Sequence, residues 1–319
     1  MYRALLIKQN VKEYLLLLPF SHTIFDYMSN EILRNKVSEY YDLLSQGVAV
    51  EQIRRETYTD FITQICKGPE GVTAKQINET YHLQSFSKAA KRMADQLHLR
   101  NNRKEMKMTI INHRVNIGES FENFSDAESK WRISLGIFAR FFSSYFDTKQ
   151  VPMWITHFGR QYGEKAYFEL VGECIDYIPI LLDHEQDIDI ASEKIKHKIQ
   201  FASDHNIHFS NLLYNESMDS IFTDTRNELL KSFEEMPVNF NYLGELSEEA
   251  DLDYLDAEGV NCDDSNRILY MTWHKGQEVY ITLVIPVEEN KDSIRNLIND
   301  VAQEQIMGYA TARLKGVEI

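Results

Sequence analysis

The sequence predicts a mixed α/β chain of the α+β kind. Three observations predict it. Apolar runs of strand length, such as Leu15-Leu16-Leu17-Leu18, stop abruptly at turn residues. Longer segments repeat apolar side chains every three or four positions, as helices require. The two kinds of segment are interleaved along the chain, so helices must be layered on sheet.

Tyr2–Lys8 reads as a strand, Gln9-Asn10 as a turn, and Val11–Phe20 as the second strand of a hairpin. The leucine run inside it is too short to span a membrane and reads as a buried strand. Met28–Leu44 places Ile32, Leu33, Val37, Tyr40, Tyr41 and Leu44 at helical spacing, and Gln46-Gly47 ends that helix. Val50–Ile65 predicts another helix through Ile53, Tyr58, Phe61, Ile62 and Ile65. Lys67-Gly68-Pro69-Glu70-Gly71 is the clearest linker signal, and we expect a boundary there between units 1–66 and 67–319.

Thr73 is placed to cap a helix, and a further helix follows over Leu83–Leu97. Glu105–Asn116 is strand-like. Ser125–Tyr145 is a strong helix, with Trp131, Leu135, Phe138, Ala139, Phe142 and Tyr145 in register; an aromatic stripe of that period marks core rather than a cofactor box. Pro152–Phe158 reads as a strand running into Gly159-Arg160, and Glu169–Asp183 as a loop and strand. Ile190–Ala202 is a helix with Ile195 and Ile199 inward, and Val238–Leu246 is a strand. The acidic stretch Glu248–Asp264 is poor in apolar residues and reads as an exposed loop. Ile268–His274 and Glu278–Pro286 alternate about Lys275-Gly276-Gln277, which is a hairpin, and Asn290 to Lys315 is a closing helix.

With 319 residues, 43% hydrophobic, the chain can bury a core of one large domain or two small ones. A net charge of −15 opposes binding to nucleic acid or an anionic membrane. One locally basic run, Arg92, Arg100, Arg103, Lys104 and Lys107, could meet an acidic partner, although a solvated helix face and loop explain it as well. Cys66, Cys174 and Cys262 are widely spaced, with no Cys-x-x-Cys. That is neither a disulfide framework nor a zinc site, and it fits a reducing cytoplasm. Arg3, Lys8, Lys12 and Glu13 crowd the first apolar run and no small-residue cleavage site follows it. We therefore expect no signal peptide, no transmembrane helix, no metal and no tightly bound cofactor.

The chemistry-bearing stretch is Ser21-His22-Thr23-Ile24-Phe25-Asp26. A histidine at the end of a strand is held rigidly, can face a cleft, and can take a proton near neutral pH. Read as strand, Ser-His-x-x-x-Asp and amphipathic helix, Tyr14–Tyr41 resembles the core motif of nonribosomal peptide synthetase condensation domains. These belong to the chloramphenicol-acetyltransferase-like acyltransferases. The usual form there is His-His-x-x-x-Asp-Gly, with the second histidine active; here Ser21 stands for the first histidine and Tyr27 for the glycine. Further segments are similar, in family order. They are Gly159-Arg160, then Val171-Gly172-Glu173-Cys174 with Pro179, then Asn239-Phe240-Asn241-Tyr242-Leu243-Gly244, the last most typical of the epimerisation branch.

The resemblance implies a chloramphenicol-acetyltransferase-like two-layer sandwich. Residues 67–319 would form a complete C-terminal lobe and residues 1–66 the remainder of an N-terminal lobe. A strand pair without its neighbours leaves apolar faces and sheet edges open, so we expect the N-terminal lobe in trans or self-association. The resemblance further implies that His22 serves catalysis and that Asp26 pairs with a distant arginine, for which Arg160 is the choice, to hold the histidine loop in shape. Ser21 would stand in for a structural histidine, and Asn241, Tyr242 and His157 could line a substrate tunnel. Partners would be peptidyl or aminoacyl carrier proteins, whose phosphopantetheine arms deliver the substrates, and adjacent synthetase domains.

Three other readings stay open. A non-catalytic docking module fits Ser21 and Tyr27. An epimerisation domain needs a glutamate just before the Gly-Arg segment, where Ile155-Thr156-His157-Phe158 offers no carboxylate unless His157 substitutes. A terminal cyclising domain shares Ser-His-x-x-x-Asp followed by Tyr41. A serine hydrolase lacks its Gly-x-Ser-x-Gly elbow.

Overall fold

A computed structural model describes residues 4–21, 24–50, 57–100, 108–117, 126–214, 226–227, 229–233, 238–246, 268–286 and 290–314. The chain opens with a hairpin, β1 (Leu5–Lys8) and β2 (Tyr14–Leu17), in register Leu5↔Leu17 to Lys8↔Tyr14. It turns tightly at Gln9–Glu13, where the Asn10 side chain accepts from the Lys12 and Glu13 amides. The leucine run was expected to be buried; instead every residue of both strands is exposed. Burial needs a neighbouring layer, and among the described residues the hairpin forms a separate two-stranded sheet with both strands exposed.

α1 (Tyr27–Ser45) begins at Asp26, which caps it, and ends at Gln46 and Gly47, the latter with φ +74°. Of its 19 residues only Ser29 is buried. α2 (Tyr58–Ile65) is shorter than the helix predicted from Val50; residues 51–56, with Ile53, lie outside the described residues. Thr57 sets its start through a capping box with Asp60. Thr73 likewise caps α3 (Ala74–Tyr81) with Gln76, and α4 (Leu83–Arg100) follows.

The body is a mixed six-stranded sheet. Its strands are β3 (Met108–Asn116), β4 (Gln150–His157), β7 (Asp176–Asp183), β8 (Val238–Glu245), β9 (Ile268–Lys275) and β10 (Glu278–Pro286). Their order is β3-β10-β9-β8-β4-β7, with β8 parallel to both β4 and β9. The β9–β10 hairpin turns at Gly276, φ +58°. Between β4 and β7 lie the two-residue strands β5 (Gln161–Tyr162) and β6 (Lys165–Ala166), which the sequence pattern did not suggest. The six-residue helix α7 (Phe209–Tyr214) was also unexpected.

α5 (Ala127–Phe146), α6 (Ile188–Asp204) and α8 (Lys291–Leu314) complete the layers. The α5 aromatic stripe is core, as its period indicated: Phe138 meets Phe240 and Tyr270 edge-on at 4.9 and 5.2 Å. On the other sheet face, Phe86 of α4 meets Trp154 at 5.2 Å. Each such ring, fully buried, contributes about 1.5–3 kcal/mol relative to exposure. Beneath α5, the buried His274 sits with Nε2 2.9 Å from Ser134 Oγ. Burial, then the neighbouring Lys130 charge, push its pKa down to about 4. Glu248–Asp264, read as an exposed loop, lies outside the described residues, as do Arg103, Lys104 and Lys107 of the basic run.

Candidate functional site

Asp26 is the hinge between the hairpin and α1. Its Oδ1 accepts from the Ser29 amide at 2.8 Å, the cap of α1, and from Ser29 Oγ at 2.8 Å. Its Oδ2 accepts from the Cys174 amide at 3.1 Å. Arg160 Nη2 donates to Oδ1 at 2.7 Å. Both side chains are buried, at 1% and 2% exposure. Burial raises the carboxyl pKa, but the hydrogen bonds from Arg160, Ser29 and Cys174 outweigh it, and the group is held below its ordinary value.

Arg160 reaches Asp26 because the chain reverses at Gly159, with φ +56°. A Cβ there would stand 2.0 Å from the Cys174 carbonyl oxygen, so only glycine permits this approach. The guanidinium also donates to the carbonyls of Phe158 (3.2 Å), Leu170 (3.3 Å) and Gly172 (3.4 Å). Ser29 Oγ accepts from the Gly172 amide at 2.9 Å, and its one proton is shared between Asp26 Oδ1 and the Gly172 carbonyl, 2.9 Å away. The 170–174 loop is thus knitted to the start of α1 from both sides. Tyr58 of α2 braces it from outside, donating to the Glu173 carbonyl at 2.7 Å and laying its ring where a Gly172 side chain would go.

Ser29 escaped the sequence reading, although a serine three residues after a capping aspartate is a visible local signal. His22 lies outside the described residues, four positions before Asp26. Ser21 is exposed. His157 ends β4 opposite Asp176 of β7, and its Nδ1 accepts from the Gly159 amide at 3.2 Å. That leaves the neutral ring's proton on Nε2. Burial, opposed by Asp176 and reinforced by His208, lowers its pKa and keeps it neutral at pH 7. Asp176 is buried and caps α7 through the Phe209 and Ser210 amides, both at 2.9 Å. His208 beside it is also held neutral by burial, with Nδ1 accepting from Asn211. Neither Asp176 nor His208 carried any sequence signal.

Asn241 and Tyr242 are consecutive on β8 and point to opposite sheet faces. Tyr242 packs on Trp131 and His274, and its phenol pKa is pushed up by burial. Asn241 shares its face with Asn239, whose Oδ1 is buried without a partner. The two residues therefore do not line one surface together.

An open cleft of about 1100 Å³ lies at the other end of β4 and β7, near Asp183. Arg132 there is engaged by Asp189 at 2.6 Å and Glu128 at 2.8 Å. It is remote from Asp26. Among the described residues no group of three or more His, Cys, Asp or Glu side chains could hold a metal ion. No helix among them is long and apolar enough to cross a membrane.

No family model matches the sequence, and no curated protein matches it. Solved structures do match in fold. The epimerization domain from the third module of tyrocidine synthetase B superposes with TM-score 0.60 at 14% identity, covering 97% of this chain and 72% of that one. The starter condensation domain of rhizomide synthetase RzmA gives 0.57 at 10%, covering 96% and 69%. PapA2 acyl transferase gives 0.58 at 11%, covering 93% and 66%. A condensation domain that mediates chain release from the enacyloxin polyketide synthase gives 0.59 at 12%, and the chain spans only 60% of its length. Over the part of their length that it spans, the chain therefore has the fold of condensation and epimerization domains.

Proposed function

We propose that this chain, which has the condensation-domain fold, is a condensation-type acyltransferase of nonribosomal peptide synthesis. It would join a carrier-tethered thioester donor to a carrier-tethered amine, with His22 at the centre of the tunnel. The observation that carries this reading is the buried Asp26–Arg160 pair, which ties the segment four residues after His22 to the 170–174 loop. A carboxylate so engaged and held ionised is a positioning group and not a base.

The thioester is already activated, so holding the reactants in place supplies much of the rate. The amine nitrogen attacks the thioester carbonyl, the C–N bond forms, and the C–S bond then breaks. His22 takes the amine proton or stabilises the tetrahedral oxyanion, and the proton leaves with the thiol. The phosphopantetheine arms arrive with carrier proteins, so the chain itself needs no resident cofactor. Adjacent synthetase domains would be its other partners, in the cytoplasm. Residues 1–66 would then be the remainder of an N-terminal acyltransferase-like lobe and 67–319 the C-terminal lobe.

Epimerisation is the second reading, supported by the Asn239–Gly244 segment; for His157 to serve as the second base, its Nδ1 would have to release the Gly159 amide. The test is intact-protein mass spectrometry with aminoacyl-loaded carrier proteins, comparing wild type with His22→Ala. Condensation predicts a dipeptidyl-carrier product that falls by about 10²–10⁴-fold in the variant while its melting temperature holds. Deuterium uptake at the α-carbon without product would instead assign epimerisation. A folded chain that binds carriers and transforms nothing would be a docking module.

A further inference from the structure

We propose that Lys198 is a nucleophilic amine and a site of covalent acylation, taking its acyl group from a thioester. Lys198 lies on α6, half-buried, with its ammonium 5.9 Å from the centre of the buried Tyr81 ring. The Tyr81 hydroxyl donates to the Lys198 carbonyl at 2.7 Å, so the ring is pinned to the same turn. Helical spacing offers the ammonium no carboxylate: the positions three and four away are Lys194, Ile195, Phe201 and Ala202.

Other nitrogen bases share the place instead. Lys194 stands one turn before Lys198 on α6. His82, the left-handed residue between α3 and α4 with φ +52°, comes from the facing element. Burial, then the Lys198 and Lys194 charges, lower the pKa of the His82 imidazole, so it adds no negative charge and little positive charge at pH 7. Lys196, two residues from Lys198, shows the ordinary arrangement: its ammonium reaches Glu128 at 2.5 Å and Glu193 at 3.1 Å.

Half-burial strips the Lys198 ammonium of hydration and Lys194 repels it, and both effects favour the neutral amine. The Tyr81 ring opposes them weakly, at the limit of cation–π range. The balance, burial first and Lys194 second, brings the Lys198 pKa down to about 8. At pH 8 about half of its population is free amine, against less than about 1% for an ordinary lysine. A desolvated lysine beside a second cation is an activated nucleophile. Its nitrogen attacks the thioester carbonyl, the C–N bond forms and the C–S bond breaks. The amine proton goes to the departing thiolate, leaving an amide and a thiol. The amide carries no charge, so the repulsion from Lys194 ends with the reaction. This inference does not depend on the reaction proposed above, in which Lys198 has no part.

Peptide mass spectrometry on the full chain tests it, with the N-acetylcysteamine thioester of acetate as donor and the acetylation rate of each lysine followed from about pH 6 to about pH 10. At pH 8 Lys198 should be acetylated at least about tenfold faster than Lys196, and its rate should level off above about pH 8 while that of Lys196 keeps rising. Lys194→Gln, at an exposed position, should move the Lys198 midpoint upward with the circular dichroism spectrum unchanged. Acetylation of Lys198 no faster than that of Lys196, or a Lys198 rate that keeps rising as an ordinary lysine's does, overturns the proposal. An unmoved midpoint in Lys194→Gln overturns the part given to Lys194. The acyl-transfer assay reads product on the carrier, so its outcome is independent of this one.

Discussion

Residues 4–50 and residues 57–314 obey different rules in the same chain. The later region buries its aromatic rings between helices and a six-stranded sheet, and its apolar periodicity translates directly into core. The earlier region has equally apolar strands and an equally periodic helix, yet most of its described residues are exposed and nearly all the others, such as Ile32, Leu33, Tyr40 and Leu43, are only half-buried. Only Asp26 and Ser29 among them are buried. The difference teaches that periodicity reports the face a segment can bury, while burial itself depends on what stands opposite. The earlier region's fully buried link to the rest, among the described residues, is the small polar knot at Asp26 and Ser29.

Substitutions should separate the two regions, and the largest effects belong to the body and the knot. Trp154→Ala removes a fully buried ring between Phe86 and Phe233 and should cost about 3–5 kcal/mol in urea unfolding. Asp26→Ala strands the buried Arg160 guanidinium and should cost about 3–5 kcal/mol. Because that variant loses the knot itself, its proteolysis pattern should change first within residues 24–50.

Acidification should act on the body as well. The folded state holds His274 near pKa 4, below the ordinary 6.5, so it favours the neutral ring. Its contribution is complete above pH 6.5 and is withdrawn as pH falls toward about 4, a loss of about 3 kcal/mol. The urea midpoint should therefore drop between pH 7 and pH 5, and His274→Asn should flatten that slope. Gly159→Ala should cost about 1–3 kcal/mol, read as a lower melting temperature, because the positive φ and the Cys174 carbonyl both resist a side chain. Tyr41→Ala, on the exposed face of α1, should change monomer stability by less than about 0.5 kcal/mol. A large loss there would show that α1 is packed after all and would end the contrast.

What could be read from the sequence follows the same division. The Thr73 cap, the α5 stripe and the β9–β10 hairpin were legible because each is a local pattern. The start of α2 was misplaced because the Thr57–Asp60 capping box outweighs the weak apolar period before it. β5, β6 and α7 are too short for any period to register. Leu15–Leu18 was legible as strand but not as exposed, since no residue of the run states whether a layer covers it. At the candidate site, the contact between Asp26 and Arg160 spans 134 residues and leaves no local trace; only the family resemblance suggested the pairing. Asp176 and His208 meet across the fold and left none either.

The knot also fixes an order of events during synthesis. Asp26 and Ser29 are completed by Arg160, Gly172 and Cys174, between 131 and 148 residues downstream. When α1 leaves the ribosome, none of those groups has been made. The start of α1 must therefore wait without these partners until more than half of the chain has been translated, a period in which chaperones and proteases compete for it.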